Sequence, residues 1–310
     1  MKIMKISVSF VLVLVLTSAA AAAINLEDVE QAIDASGADW VAADNIVADM
    51  HFEHGWYDAT AEWPWLTGAE EYYVPSGVKA LPDTLDWRDY EGGDWITPIR
   101  DQESCGSCWA FGSVATIEAH MAYYENLSNP QIDLAEQQLL SCAFNLGCSG
   151  GGFTNVAFSY AEKTGLVDEE CFPYQAEKVS CAQKCADWQQ RAQKIQGWQI
   201  VSLLPNKNKI MDALQNGPVA TSFIVYDDFY YYSGGVYTTV IGYATGMHVV
   251  SIVGYNKAQR YWICKNSWGD GWGEDGYFRI RWGAGQMGLF TVLPVYDPPR
   301  VAARNAEYCD

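Results

Sequence analysis

The chain has 310 residues, of which 49% are hydrophobic and 14% aromatic, with a formal net charge of −19. Such a length and apolar content supply core for one or two folded domains and exclude a disordered chain. The acidic balance repels phosphate backbones and removes nucleic acid from the expected partners.

Lys2 and Lys5 precede an apolar run from Ile6 to Leu16, followed by small residues from Thr17 to Ala23. This is the pattern of a secretory signal peptide, and the run is shorter than the ~20 apolar residues a spanning helix needs. Residues 1–23 are therefore read as a removable signal, and no membrane association is expected once it is gone. Export sets an oxidising context, in which the nine cysteines read as disulfide partners rather than metal ligands. An odd number leaves one thiol over if the rest pair. No metal or other cofactor is expected, since no second cysteine pair stands at ligand spacing.

Residues 24–80 hold twelve acids against one base, Lys79. Leu26, Val29 and Ile33 are spaced for one or two amphipathic helices between Ile24 and Asp49. Aromatics crowd from Trp56 to Val74, and Pro75-Ser-Gly77 then reads as a linker, which places a boundary near Ala80. On composition alone this region is a small accessory domain.

A new segment starts at Leu81 and leads to Gln102-Glu-Ser-Cys-Gly-Ser-Cys108-Trp-Ala-Phe111. A helix is predicted from Cys108 to Tyr124, capped by Ser107 or the preceding turn and buried through Phe111, Val114, Ile117 and Met121. Cys108 then sits at the helix amino end, where unpaired N–H groups and the macrodipole favour a thiolate. Glu118 is the one acid of the helix. At ~1.5 Å per residue it lies about 15 Å from Cys108 and reads as a hydrogen-bonded core carboxylate.

Asp133 to Glu136 has capping-box spacing for a short helix through Leu140. Cys142 and Cys148 flank a turn before Gly150-Gly151-Gly152, where the backbone must bend sharply or lie close to packed chain or ligand. Phe153 to Lys163 reads as a helix ending at Gly165. Cys171, Cys181 and Cys185 surround a Pro173-Tyr174 loop that needs stapling. Beyond Gln196 the runs 219–225, 248–253, 261–264 and 276–281 are β-rich and punctuated by glycine. A helical first half and a sheet-rich second half place a cleft between them.

A cysteine nucleophile needs a base held by a third group. Of the four histidines, His51 and His54 lie in the acidic segment. His120 is about 18 Å along the helix from Cys108 at ~1.5 Å per residue. His248, opening a strand, remains, and Asn266 in Lys265-Asn-Ser-Trp-Gly269 is the candidate orienter.

Four stretches together resemble papain-like cysteine peptidases of the cathepsin group. They are Gln102 to Phe111, Cys148-Ser-Gly-Gly151, His248 to Tyr255, and Tyr261 to Gly269 with Trp272-Gly273 and Gly276-Tyr277. The resemblance covers about 81 to 293. It implies an α+β, two-lobe fold: a helical lobe over about 90–195, a β-barrel-like lobe over about 196–293, and a tail from 294 to 310. Cys108 matches the nucleophile, His248 its base and acid, Asn266 the imidazole orienter and Gln102 the side-chain oxyanion donor. Trp268 matches the indole that shields the His–Asn contact, and Gly150 and Gly151 the backbone that pairs with bound peptide.

Residues 24–80 then stand in place of an inhibitory propeptide, and Trp40-Val-Ala42-Ala-Asp-Asn45 resembles a pattern of cathepsin-B-like prosegments. The same branch implies disulfides Cys105–Cys148, Cys142–Cys181 and Cys171–Cys185. The histidine pair and length of its occluding loop are missing, so an endopeptidase is expected. It would be a secreted or extracytoplasmic monomer, in a lysosome- or vacuole-like compartment if eukaryotic, acting on proteins or peptides. Protonation of the acidic prosegment as pH falls towards ~4 is expected to loosen it.

Glu103, Met247 and Gly152 depart from the family pattern, as does Cys264, for which Cys309 is a candidate partner. Two rival readings are a catalytically inactive protein of the same fold and a thiol oxidoreductase using Cys105-Gly-Ser-Cys108 as a C-x-x-C motif.

Overall fold

The computed structural model describes residues 24–45, 47–48, 70–72, 81–143, 147–149 and 151–296. The expected signal peptide, the linker before Ala80, His51, His54, Gly150 and Cys309 lie outside the described residues.

Helix α1 (Leu26–Ser36) starts in a capping box between Asn25 and Asp28 and stops at Gly37 in the left-handed region. Instead of a second amphipathic helix, Trp40–Ala42 forms strand β1, with Trp40 and Ala42 buried and Val41 exposed. Strands β2 (Glu70–Glu71) and β3 (Thr84–Asp86) follow. Helix α2 covers Cys108–Tyr124, the range predicted from its apolar run, and is buried over most of its length.

The expected short helix forms as an α-turn over Glu136–Gln138 that continues as a π-helix over Leu139–Ala143, and its cap, Ala135, makes no side-chain bond. The expected capping box does not form because Arg100 takes the Asp133 carboxylate at 2.9 Å. Helix α3 (Thr154–Lys163), strand β4 (Gly197–Ser202) and helix α4 (Lys207–Ala213) lead into the sheet-rich half. There β5 (Val219–Tyr226), β6 (Tyr232–Tyr237), β7 (Ala244–Asn256), β8 (Tyr261–Lys265), β9 (Tyr277–Arg281) and β10 (Leu289–Val295) complete the strands.

The ten strands order as β1-β6-β9-β8-β7-β5-β10-β4-β2, with β3 added on β7. Strand β7 is the hub, placing His248 opposite Phe223 of β5 and Ser251 opposite Lys265 of β8. Residues from the acidic N-terminal segment cap both ends of this order.

One core cluster fills the sheet with Trp87, Phe229, Trp262, Trp272 and Phe278. A second surrounds α2 with Trp109, Val114, Ile117, Phe158 and Val249. Full burial of aliphatic side chains such as Val114 and Ile117 contributes ~1.5–3 kcal/mol each. Helix α2 meets β7 at Gly112, where a Cβ would lie 2.8 Å from Val249 Cγ1 and 3.1 Å from the Val249 carbonyl. Only glycine permits that approach, which seats the start of α2 against the strand carrying His248. Disulfides join Cys105 to Cys148, Cys142 to Cys181 and Cys171 to Cys185.

Candidate active site

The loop before α2 is held from several sides. Gln102 N–H donates to Ser267 O at 2.9 Å, and Gly106 N–H to Cys148 O at 3.1 Å. The Tyr174 hydroxyl donates to Gln102 O at 2.8 Å and lies 2.7 Å from Ser107 Oγ. Ser107 stands at the expected N-cap position of α2, its carbonyl accepting from Ala110 and Phe111 N–H, while its side chain makes no cap bond. Glu103 sits exposed at φ 53°, with its N–H donating to Asp101 Oδ1 at 2.8 Å. That left-handed conformation costs a non-glycine residue roughly 1–2 kcal/mol, which gives a physical reason why glycine is the ordinary occupant of such a turn.

Cys108 is 7% exposed. Burial pushes its thiol from 9.0 up to about 11, opposed by the backbone N–H groups of Val249, Trp109 and Cys108 itself. That rise corresponds to roughly 3 kcal/mol, against the ~0.3–1 kcal/mol a helix terminus supplies. The helix end alone therefore does not make a thiolate. A cation beside the sulfur would offset that rise, and the Val249 contact puts the sulfur at the residue next to His248.

His248 is fully buried. Its Nε2 lies 2.7 Å from Asn266 Oδ1, and its ring 4.8 Å from that of Trp268. An amide oxygen only accepts, so Nε2 carries the proton. Trp268 is itself packed among Tyr230, Trp272 and Phe229. Gln102 is buried with Oε1 accepting from Ser267 Oγ at 2.6 Å and Nε2 donating to Cys105 O at 2.9 Å, so its amide is fixed in orientation beside the nucleophile loop.

Gly151 is described at φ 61°, whereas its neighbour Gly150 is not. Gly152, unexplained by the resemblance, has a structural cause: a Cβ there would lie 2.3 Å from the Trp109 ring. His120 is turned away from the site, with Nε2 2.9 Å from Pro218 O. Cys105 is bonded to Cys148, so the C-x-x-C pair is not a dithiol and the oxidoreductase reading loses its first cysteine. Cys264 is buried in β8.

Sequence reasoning missed a buried charge behind the site. Lys265 Nζ donates to Thr97 O at 2.8 Å and Thr97 Oγ1 at 2.9 Å, and Thr97 Oγ1 donates to Glu118 Oε2 at 2.6 Å. Glu118 Oε1 accepts from Leu134 N–H at 2.8 Å. Burial pulls the Lys265 ammonium down to about 8, against the attraction of Glu118 and Glu136. Glu118, Glu136 and Lys265 line a small cavity together with Val249, Asn266 and Ser267. The signal was present in Glu118, a lone acid in an apolar helix that needed a partner.

A buried thiol, an imidazole held by a carboxamide and a second carboxamide beside the nucleophile are the parts of a cysteine-nucleophile hydrolase. Residues 81–293 match the papain family cysteine protease. The chain is 39% identical over 219 residues to cathepsin B-like CP3 of Giardia intestinalis, covering 67% of this chain and 72% of that one. Macrodontain-1 of Ananas macrodontes is 35% identical over 204 residues, covering 65% and 90% of the two chains. The digestive procathepsin L2 proteinase from Tenebrio molitor larval midgut shares the fold with a TM-score of 0.74 and 30% identity, over 87% of this chain and 88% of that chain. The chain belongs to the papain family of cysteine proteases and is a cysteine peptidase with an α+β papain-like fold.

Proposed function

We propose that the protein is a secreted cysteine endopeptidase, made as a zymogen and acting through a Cys108 thioester acyl-enzyme. His248, with Nε2 committed to Asn266, takes the Cys108 proton on Nδ1, and the resulting imidazolium is the cation the buried sulfur needs. The sulfur attacks the scissile carbonyl carbon, forming C–S while the carbonyl oxygen becomes an oxyanion. Gln102 Nε2 and the Cys108 backbone N–H stabilise that charge. His248 returns its proton to the leaving amine as C–N breaks. It then takes a proton from water, which attacks the thioester and releases the acid and the thiol.

Asn266 fixes the imidazole, Trp268 keeps water from their contact, and Gly150 and Gly151 match in sequence the glycines whose backbone pairs with substrate in the family. The carrying observation is the 2.7 Å His248–Asn266 contact beside a sulfur held by the N–H of Val249. Proform neighbours and two strands of residues 24–80 docked on the domain support the zymogen reading. Three disulfides suit an oxidising compartment.

Cys108→Ala is expected to abolish both peptide hydrolysis and self-cleavage near Ala80. A labelled epoxide should modify Cys108 in the acid-activated native protein. Absence of that label would contradict the peptidase mechanism and favour an inactive protein of the same fold. Continued maturation of the variant would assign the cut to another protease.

A further inference from the structure

Strand β2 and the residue after it make a contact that the hydrolysis does not use. Glu70 and Glu71 pair in parallel with Gln199 and Ile200 of β4. Tyr72 N–H continues the ladder to Ile200 O at 2.9 Å. The Tyr72 ring is buried, and its hydroxyl donates to Asp212 Oδ2 at 2.8 Å and accepts from Asn216 Nδ2 at 3.0 Å. Asp212 belongs to α4 and is only 7% exposed, so the phenol fills a closed polar socket. Lys209 of the same helix reaches Glu71 Oε1 at 3.0 Å. At the other end of the strand order, β1 pairs with β6, and Trp40 packs on Tyr232 and Tyr237.

We propose that Glu70–Tyr72 is a second docking anchor, which keeps residues 24–80 bound to the peptidase domain after the chain is cut near Ala80. The inference rests on reading 24–80 as an inhibitory prosegment. Withdrawal of Tyr72 removes the hydroxyl partner of Asp212 and Asn216 and opens the edge of β4, so release is resisted by the domain as well as by the segment. Residues 43–69 join the two anchors with up to about 90 Å of reach at ~3.3 Å per residue. When one anchor lets go, the other holds the segment and rebinding is intramolecular. Cleavage near Ala80 therefore does not by itself free the cleft. Both anchors must open, or a second cut must fall between them.

The Cys108→Ala full chain, which cannot digest itself, tests this. It is severed after Lys79, the only base in 24–80, and the products are followed by size exclusion and mass spectrometry. The native fragment is expected to co-elute with the domain. The Tyr72→Ala fragment should leave at least tenfold faster. Tyr72→Phe keeps the ring and loses the hydroxyl bonds, and should leave about fivefold faster.

In the uncut chain, hydrogen exchange over 197–202 should quicken at least tenfold in Tyr72→Ala and stay native in Trp40→Ala. Native-like retention and native-like exchange in Tyr72→Ala would overturn the anchor, as would immediate loss of the native fragment. With Cys108 intact, activity before and after severing reads inhibition separately. An uncut chain that is already fully active would sink the prosegment reading while leaving the anchor result standing.

Discussion

Ser267 holds the Oε1 of Gln102, and Gln102 is the side chain proposed to meet the oxyanion. Gln102→Ala should lower kcat by on the order of 10²–10³ with little change in KM, because the lost donor serves charge that appears only in the transition state. Ser267→Ala should cost less, roughly tenfold in kcat, since it loosens the amide without removing it. Equal losses in the two variants, or a loss confined to KM, would assign Gln102 to substrate binding. The two candidates were reached by different routes, Cys108 from its place at a helix start and His248 as the histidine left over, and the structure puts the first at the start of α2 and the second on the Asn266 oxygen. Lys265 was not legible. A lysine in a strand reads as a surface residue, and only Thr97 and Glu118, distant in sequence, reveal why it is inside.

Helix α2 carries its own acid sensitivity. His120 packs against Gly217 and Pro218, and burial lowers its pKa from 6.5 to about 4. Between those two values the unfolded chain binds more protons than the folded one, so stability rises with pH through the window and falls as pH drops from 6.5 towards 4. The full contribution is roughly 3 kcal/mol. Denaturant unfolding of His120→Gln across that range should show a flatter acid limb than the native protein, and parallel limbs would assign the loss to other groups.

Elements with a long signal were readable, as the match of α2 to its apolar run shows. Strand β1 was not, because three residues carry no period and Trp40–Ala42 is extended only through its pairing with β6. The Asp133 cap failed for a related reason, a tertiary ion pair with Arg100 outcompeting a local bond.

At the scale of the whole molecule, the described residues of the acidic segment meet the domain through strand pairing, Trp40 and Tyr72 as well as through one ion pair. The ion pair between Glu71 and Lys209 is largely exposed on the glutamate side and is worth ~0–1 kcal/mol. The expected loosening of the segment at acid pH therefore gains little from that pair.

The site itself is assembled from both halves of the chain. Cys108 and Gln102 come from the helical half, His248 and Asn266 from the sheet, and the approach of α2 to β7 at Gly112 brings them together. The assembly matters because burial pushes the Cys108 thiol up to about 11 even with backbone N–H groups on the sulfur.

The most direct measurement is the pH dependence of Cys108 alkylation after removal of the prosegment, compared between the native enzyme and His248→Ala. A Cys108–His248 pair should give a reactive thiolate below pH ~7 in the native enzyme, lost in the variant, whose reactivity returns only at strongly alkaline pH. Native alkylation that rises only at alkaline pH, or that is unchanged by the substitution, would contradict it.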